Sequence, residues 1–302
     1  MAVLDPPRPI APAPAPARMR ALGLFWRYAP LAVVVVGVAW PMLAVLAESL
    51  VTGRDGRGAQ RWGSVLSSGA FLDALGRTAQ IAVCTTIGCL VLGTFLALVL
   101  AFVPFPGARL VGRLIDSVLA LPSFLITLAF TFLYGSAGVL SSVVAGLGGG
   151  RMPALLTTPW GVVLAEVTFF TPFVVRPLLA ALTLVPREQL DVASSLGAGP
   201  MRVLRQIVLP EVLPALAAGG SLVLLLALNE FGIVLFTGAK DVITLPVLIY
   251  TRGVVTLDLP TASVVATAQV VLSLALYSVY RASFARLDTR GGSGRAAVVP
   301  GL

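Results

Sequence analysis

Three groups of residues place polar or ionisable chemistry inside stretches that are otherwise apolar. Glu166 sits in WGVVLAEVTFFTPF, Asn229 and Glu230 sit in LLLALNEFGIVLF, and the run DVASSLGAGPMRVLRQIVLP spans Asp191 to Pro210. A carboxylate in an apolar run is costly to bury and is expected to face a partner or a water-filled path. Glu166, Asn229 and Glu230 are therefore candidates for lining a polar translocation path; the other placement for Glu230 is the outer interface, or an ion pair with Arg252 or Lys240. Catalysis has little to work with. The chain has no histidine, which excludes His-ligated zinc sites and Ser-His-Asp triads. Its one lysine, Lys240, follows FTGA, so there is no GxxxxGK[ST] phosphate loop. Cys84 and Cys89 share one apolar run and read as small buried hydrophobes rather than as a disulfide or metal pair. No metal or cofactor is expected in this chain.

The Asp191–Pro210 run points to docking. Gly197 between two short helical patterns suits a sharp turn, because glycine tolerates positive φ. Pro210 is expected to break the chain or start a new helix. The product is a small helix-turn-helix knob beside the membrane, shaped to enter another protein. Asp191 would cap the short helix or meet a basic residue of that partner. Ala193 would keep the contact surface close-packed, while Ile207, Leu209 and Pro210 orient the return into the next apolar run.

This spacing resembles the EAA motif of binding-protein-dependent ABC transporter permeases, written EAA-x3-G-x9-I-x-L-P. The match falls on Ala193, Gly197, Ile207, Leu209 and Pro210; Asp191 stands for the family's Glu and keeps its charge, and Val192 replaces the first Ala. The likeness to type I importer permeases covers roughly residues 68–287. Within that family, EFGIVLFTGAKDVITLPVLIYTRG, from Glu230 to Gly253, looks most like the 2-aminoethylphosphonate permeases, with sulfate, iron(III) and polyamine permeases as alternatives. The resemblance implies alternating access and four kinds of partner: a periplasmic substrate-binding protein, a second, different permease subunit, a cytoplasmic ABC ATPase dimer that binds the ATP, and the bilayer of a bacterial inner membrane. An ion-driven secondary transporter is the alternative of another class; it requires an ion site and often an inverted repeat, and no clear repeat is visible.

The elements that must position these residues follow from composition. Apolar residues make up 58 % of the chain and charged residues 11 %, against about 25 % charged in a soluble domain, and mean hydropathy is +0.98. Against the roughly 20 residues that cross a bilayer, six runs qualify: Tyr28–Leu50, Thr78–Val103, Asp116–Tyr134, Trp160–Val175, Val212–Phe236 and Ala262–Tyr280. They are continuous rather than alternating, so helices are expected. The fold class is an all-α membrane protein of six transmembrane helices with a coupling-helix loop.

Arginine placement sets the expected orientation. Arg8, Arg18, Arg20 and Arg27 precede the first span, Arg109 and Arg113 follow the second, Arg176, Arg187, Arg202 and Arg205 follow the fourth, and Arg281, Arg286, Arg290 and Arg295 follow the sixth. Fewer basic residues fall in the opposite loops, so both termini and the knob are expected in the cytoplasm. The same placement explains the net charge of +8 without nucleic acid. The Pro/Ala-rich residues 1–27 are expected to be a disordered tail, 28–287 the permease domain and 288–302 a loose tail. Gly146–Gly150 with Ser141 and Ser142 suggests an irregular outer loop. Gly88, Gly93 and Ala97, at near-helical spacing, are read first as a consequence of the 30 glycines in the chain, ahead of a close-packing role.

Overall fold

The computed structural model describes residues 17–50, 58–135, 138–148, 158–239 and 242–292, and every regular element among them is helical. The chain divides into two units, Met1–Val51 and Thr52–Leu302. The first holds one long helix, α1 (Ala17–Leu50). It begins ahead of Arg27, so the tail expected over 1–27 is shortened, because Ala-Arg-Met-Arg-Ala-Leu is built of strong helix formers. Residues before Ala17 lie outside the described residues.

The second unit contains α2 (Gly58–Leu66), α3 (Gly69–Phe102), α4 (Ala108–Leu119), α5 (Ser123–Tyr134), α6 (Val139–Gly146), α7 (Pro159–Phe170) and α8 (Pro172–Leu182). These are followed by α9 (Arg187–Ser195), α10 (Pro200–Val203), a π-helical turn at Leu204–Val208, α11 (Leu209–Leu228), α12 (Gly232–Thr237), α13 (Leu245–Tyr250), a second π turn at Thr251–Val255 and α14 (Leu259–Gly292). Among the described residues, six helical stretches are long and apolar enough to cross a membrane: Trp26–Leu50, Gly69–Phe102, Ser123–Gly146, Pro159–Leu182, Pro200–Leu228 and Leu259–Tyr280.

The number matches expectation and several ends do not. The third span starts at Ser123, because Pro122 separates it from α4, which keeps Asp116. The fourth runs on to Leu182, which leaves Arg176 inside the span rather than at its end. The fifth stops at Leu228, and Asn229 and Glu230 fall at the break before α12. The loop expected to be irregular around Ser141 and Ser142 forms α6. Helix α14 continues past the boundary expected after 287, and residues beyond 292 lie outside the described residues.

Local sequence explains the helix starts. Ser68 accepts the Phe71 N–H (3.3 Å) at the head of α3, and Thr158 accepts the Gly161 N–H (3.3 Å) ahead of Pro159 at the first position of α7. Along α3, Val83, Ile87, Val91 and Phe95 recur every four residues and are exposed, as a lipid-facing stripe is. The other side of α3 packs against α7, α8 and α11 through small residues. A Cβ added at Gly93 would lie 2.9 Å from the Val174 Cβ, and one at Gly219 would lie 3.2 Å from the Val174 Cα. Val174 thus wedges between two helices that glycines allow to approach. The abundance reading of Gly93 is corrected: the close approach is real at this position. In lipid, where helices gain little from burying apolar surface, such contact is what holds them together.

Candidate coupling loop and polar path

Helix α9 ends in a Schellman turn. The Gly197 N–H donates to the Ser194 carbonyl (3.0 Å) and the Ala198 N–H to the Ala193 carbonyl (3.0 Å), with Gly197 at φ +77°. A β-carbon at Gly197 would meet nothing within 4 Å, so the glycine is required by the backbone and not by crowding. Of the two roles expected of Asp191, capping the helix is not the one it takes. It is exposed in the middle of α9, whose N-cap position is held by Pro186. Ala193 is half-buried.

Pro210 lies in the first turn of α11, as the second of its two expectations had it, and the chain does not break there. The stretch Pro200–Leu228 runs as one helical span. The Leu209 N–H reaches back to the Leu204 carbonyl, a π turn one residue wider than an α turn. The wider turn gives a residue that lacks an N–H, and whose ring crowds the preceding turn, room to continue the helix. Ile207 and Leu209 are half-buried beside it and Pro210 is exposed. Sequence reading missed the apolar side chains that protrude from this loop. Val192, Leu196 and Met201 are all exposed, Leu196 at 82 %. Their signal was available: large apolar residues among polar ones in an otherwise hydrophilic loop.

A second polar group gathers where α11 ends. The Glu230 Oε1 accepts the Ile233 N–H (2.8 Å), satisfying the start of α12, and also the Ser123 hydroxyl (3.0 Å) at the head of α5. Its partners are thus a helix terminus and a neighbouring span rather than Arg252; Lys240 lies outside the described residues. Asn229, exposed, donates to the Leu225 carbonyl (2.8 Å) and accepts from Gln269 Nε2 (3.1 Å), which also reaches the Leu228 carbonyl (3.2 Å). Gln269 belongs to α14 and its Oε1 is buried without a partner. It is the only amide side chain in the sixth span, a cue that sequence reading passed over.

Glu166, expected to face a polar path, is instead enclosed. It is 0 % exposed, and its Oε2 accepts the Thr85 hydroxyl (2.8 Å) across the α3–α7 contact. Its Oε1 is buried with no partner. Asn229 and Glu230, neighbours in sequence, thus stand at the end of α11, while Glu166 is buried at the α3–α7 contact. Cys84 and Cys89 are free; Cys89 is buried against the Val167 carbonyl (3.6 Å), whereas Cys84, expected to be buried as well, is half-buried.

Comparison with known proteins places these features. Residues 90–289 match the family described as binding-protein-dependent transport system inner membrane component. The chain is 47 % identical over 270 residues, 88 % of its own length and 94 % of the relative's, to a candidate 2-aminoethylphosphonate transport system permease protein, PhnU, of Salmonella typhimurium. It is 29 % identical over 230 residues, 76 % of each chain, to the putrescine transport system permease protein PotI of Escherichia coli. In fold it is similar to a chain of a bacterial ABC transporter that imports the acidic polysaccharide alginate. The TM-score is 0.76 at 18 % identity, over 89 % of this chain and 96 % of that one.

Proposed function

This chain belongs to the binding-protein-dependent transport system inner membrane components, and on that footing we propose that it imports 2-aminoethylphosphonate as one of two permease subunits in an ATP-driven complex. The relative named for that substrate, matched along nearly its whole length, supports the ligand. One observation carries the coupling: a turn at Gly197 presents Val192, Leu196 and Met201 outward on a loop made largely of small and polar residues. Apolar side chains held out in this way fit a groove on a partner. A cytoplasmic ATPase dimer supplies that groove and binds the ATP. Asp191, Ala193, Gly197, Ile207, Leu209 and Pro210 form the knob and its return, and closure of the ATPases moves it. Because Pro200–Leu228 is one helical span, that movement passes directly to Asn229 and Glu230, which we place on the path; Glu166 braces the wall behind it.

A periplasmic binding protein delivers the ligand and favours the outward-facing state, since a ligand shifts an equilibrium only through differential affinity. The knob and both termini face the cytoplasm, in keeping with the arginines that flank that side. Reporter fusions after Arg205 and at the C-terminus are expected to read cytoplasm, and a fusion after Gly148 the outside; a periplasmic signal after Arg205 would reverse the orientation. The function itself is tested in vesicles holding both permeases and the ATPase, with the loaded binding protein outside. ATP-dependent accumulation of labelled 2-aminoethylphosphonate is expected, with sulfate and putrescine at least tenfold slower. Equal or faster uptake of either competitor would overturn the substrate.

A further inference from the structure

Arg176 is an arginine inside an apolar span. It lies about 9 Å from the Leu182 end of the fourth span, at the roughly 1.5 Å rise per residue of an α-helix, on the side that leads into the coupling loop. Its guanidinium pairs with the Asp116 carboxylate of α4 and also donates to the Gly112 carbonyl (3.3 Å). Charges at membrane depth are tolerated when paired or facing a water-filled cavity. Here the charges are paired, and the two side chains remain 44 % and 45 % exposed. The pair joins α4 to α8 and still leaves a free face on each partner.

The surface beside it is also polar. Arg109, Arg113 and Ser117 are exposed and spaced four residues apart, so they form one stripe along α4. Leu110 and Leu114, also exposed, form the adjoining apolar stripe. Helix α4 therefore meets two different surroundings, and the basic stripe runs along the edge that carries Asp116.

From this arrangement we infer that Arg176 and Asp116 form an exchangeable station for a zwitterionic substrate: the guanidinium takes the phosphonate and the carboxylate takes the ammonium of 2-aminoethylphosphonate. The inference rests on the substrate proposed above. The planar guanidinium suits two oxygens of one phosphonate, and Arg109 and Arg113 draw the anionic end toward it. Without ligand the pair neutralises itself. With a zwitterion each side chain trades one opposite charge for another, so the local net charge is unchanged. A simple anion instead leaves Asp116 beside a like charge, and a simple cation leaves Arg176 in the same position, so both are rejected. The head group of phosphatidylethanolamine carries the same two charges, and the test separates it from free ligand.

The test uses the full complex in vesicles of phosphatidylcholine alone. Thiol labelling of Ser117→Cys is measured above the level in the unsubstituted chain, which carries Cys84 and Cys89. Millimolar 2-aminoethylphosphonate is expected to slow labelling fivefold or more, and ethylphosphonate or ethylamine less than twofold. Adding Arg176→Gln or Asp116→Asn is expected to abolish the protection. An unreactive Ser117→Cys, or protection equal for all three compounds, would overturn the station; protection by phosphatidylethanolamine in place of free ligand would assign it to lipid and overturn it as well. As a second measurement, the double variant Arg176→Gln/Asp116→Asn, free of unpaired charge, is expected to reach the membrane in normal amount yet import about tenfold more slowly. Full uptake by that double variant marks a merely structural pair, even where the unsubstituted complex imports normally. An unsubstituted complex that does not import 2-aminoethylphosphonate removes the substrate reading itself, and this inference with it.

Discussion

Gly197→Val is expected to lower uptake at least tenfold, while the amount of permease in the membrane stays within about twofold of the unsubstituted chain. The cause is conformational. At φ +77° a β-branched residue is strained by about 1 kcal/mol or more, and relief of that strain opens the turn closed by the Ala198 and Gly197 N–H groups. Because no atom lies within 4 Å of the added Cβ, folding of the spans is spared and the loss falls on docking. Gly197→Asn separates conformation from bulk, since Asn tolerates the left-handed region, and is expected to keep a large share of uptake. Recovery of the ATPase with each variant by pull-down, beside uptake per permease, checks both. Normal recovery and normal uptake for Gly197→Val would remove the turn from coupling.

Glu230→Ala is expected to lower both the amount of permease in the membrane and the uptake per molecule. Removing the carboxylate leaves the Ile233 N–H and the Ser123 hydroxyl without the acceptor they share. A buried donor left unpaired costs about 1–3 kcal/mol, and the link between α5 and α12 goes with it. Glu230→Gln retains an oxygen acceptor but no charge. If the charge serves the path, Glu230→Gln keeps its abundance and changes the rate or selectivity of uptake. If the residue acts only as a cap, Glu230→Gln matches the unsubstituted chain in both, and only Ala is impaired. Neutralising Arg252 in either variant is expected to restore nothing, because Glu230 is held by Ser123 and Ile233. Uptake normalised to membrane protein, measured for both single variants and their combinations with Arg252→Gln, decides between these outcomes.

Some of this was open to a reader of the residues alone, and the dividing line is physical. Six spans were legible because crossing a bilayer demands about twenty apolar residues wherever the chain goes next. The turn at Gly197 was legible because a left-handed backbone position is a property of a few neighbouring residues. A helix start at Pro210 was legible too, though not the widened π turn that joins it to the preceding helix, and a local rule misled at Asp191, where Pro186 holds the cap position. The partners of the buried and half-buried polar groups depended on packing. Glu166 finds Thr85, Glu230 finds Ser123 and Arg176 finds Asp116 across 81, 107 and 60 positions of sequence respectively, the last being 176 − 116. No periodicity encodes such distances. They follow from which helices touch, and such contacts, like Val174 fitting between Gly93 and Gly219, are chosen in lipid by shape rather than by hydrophobicity.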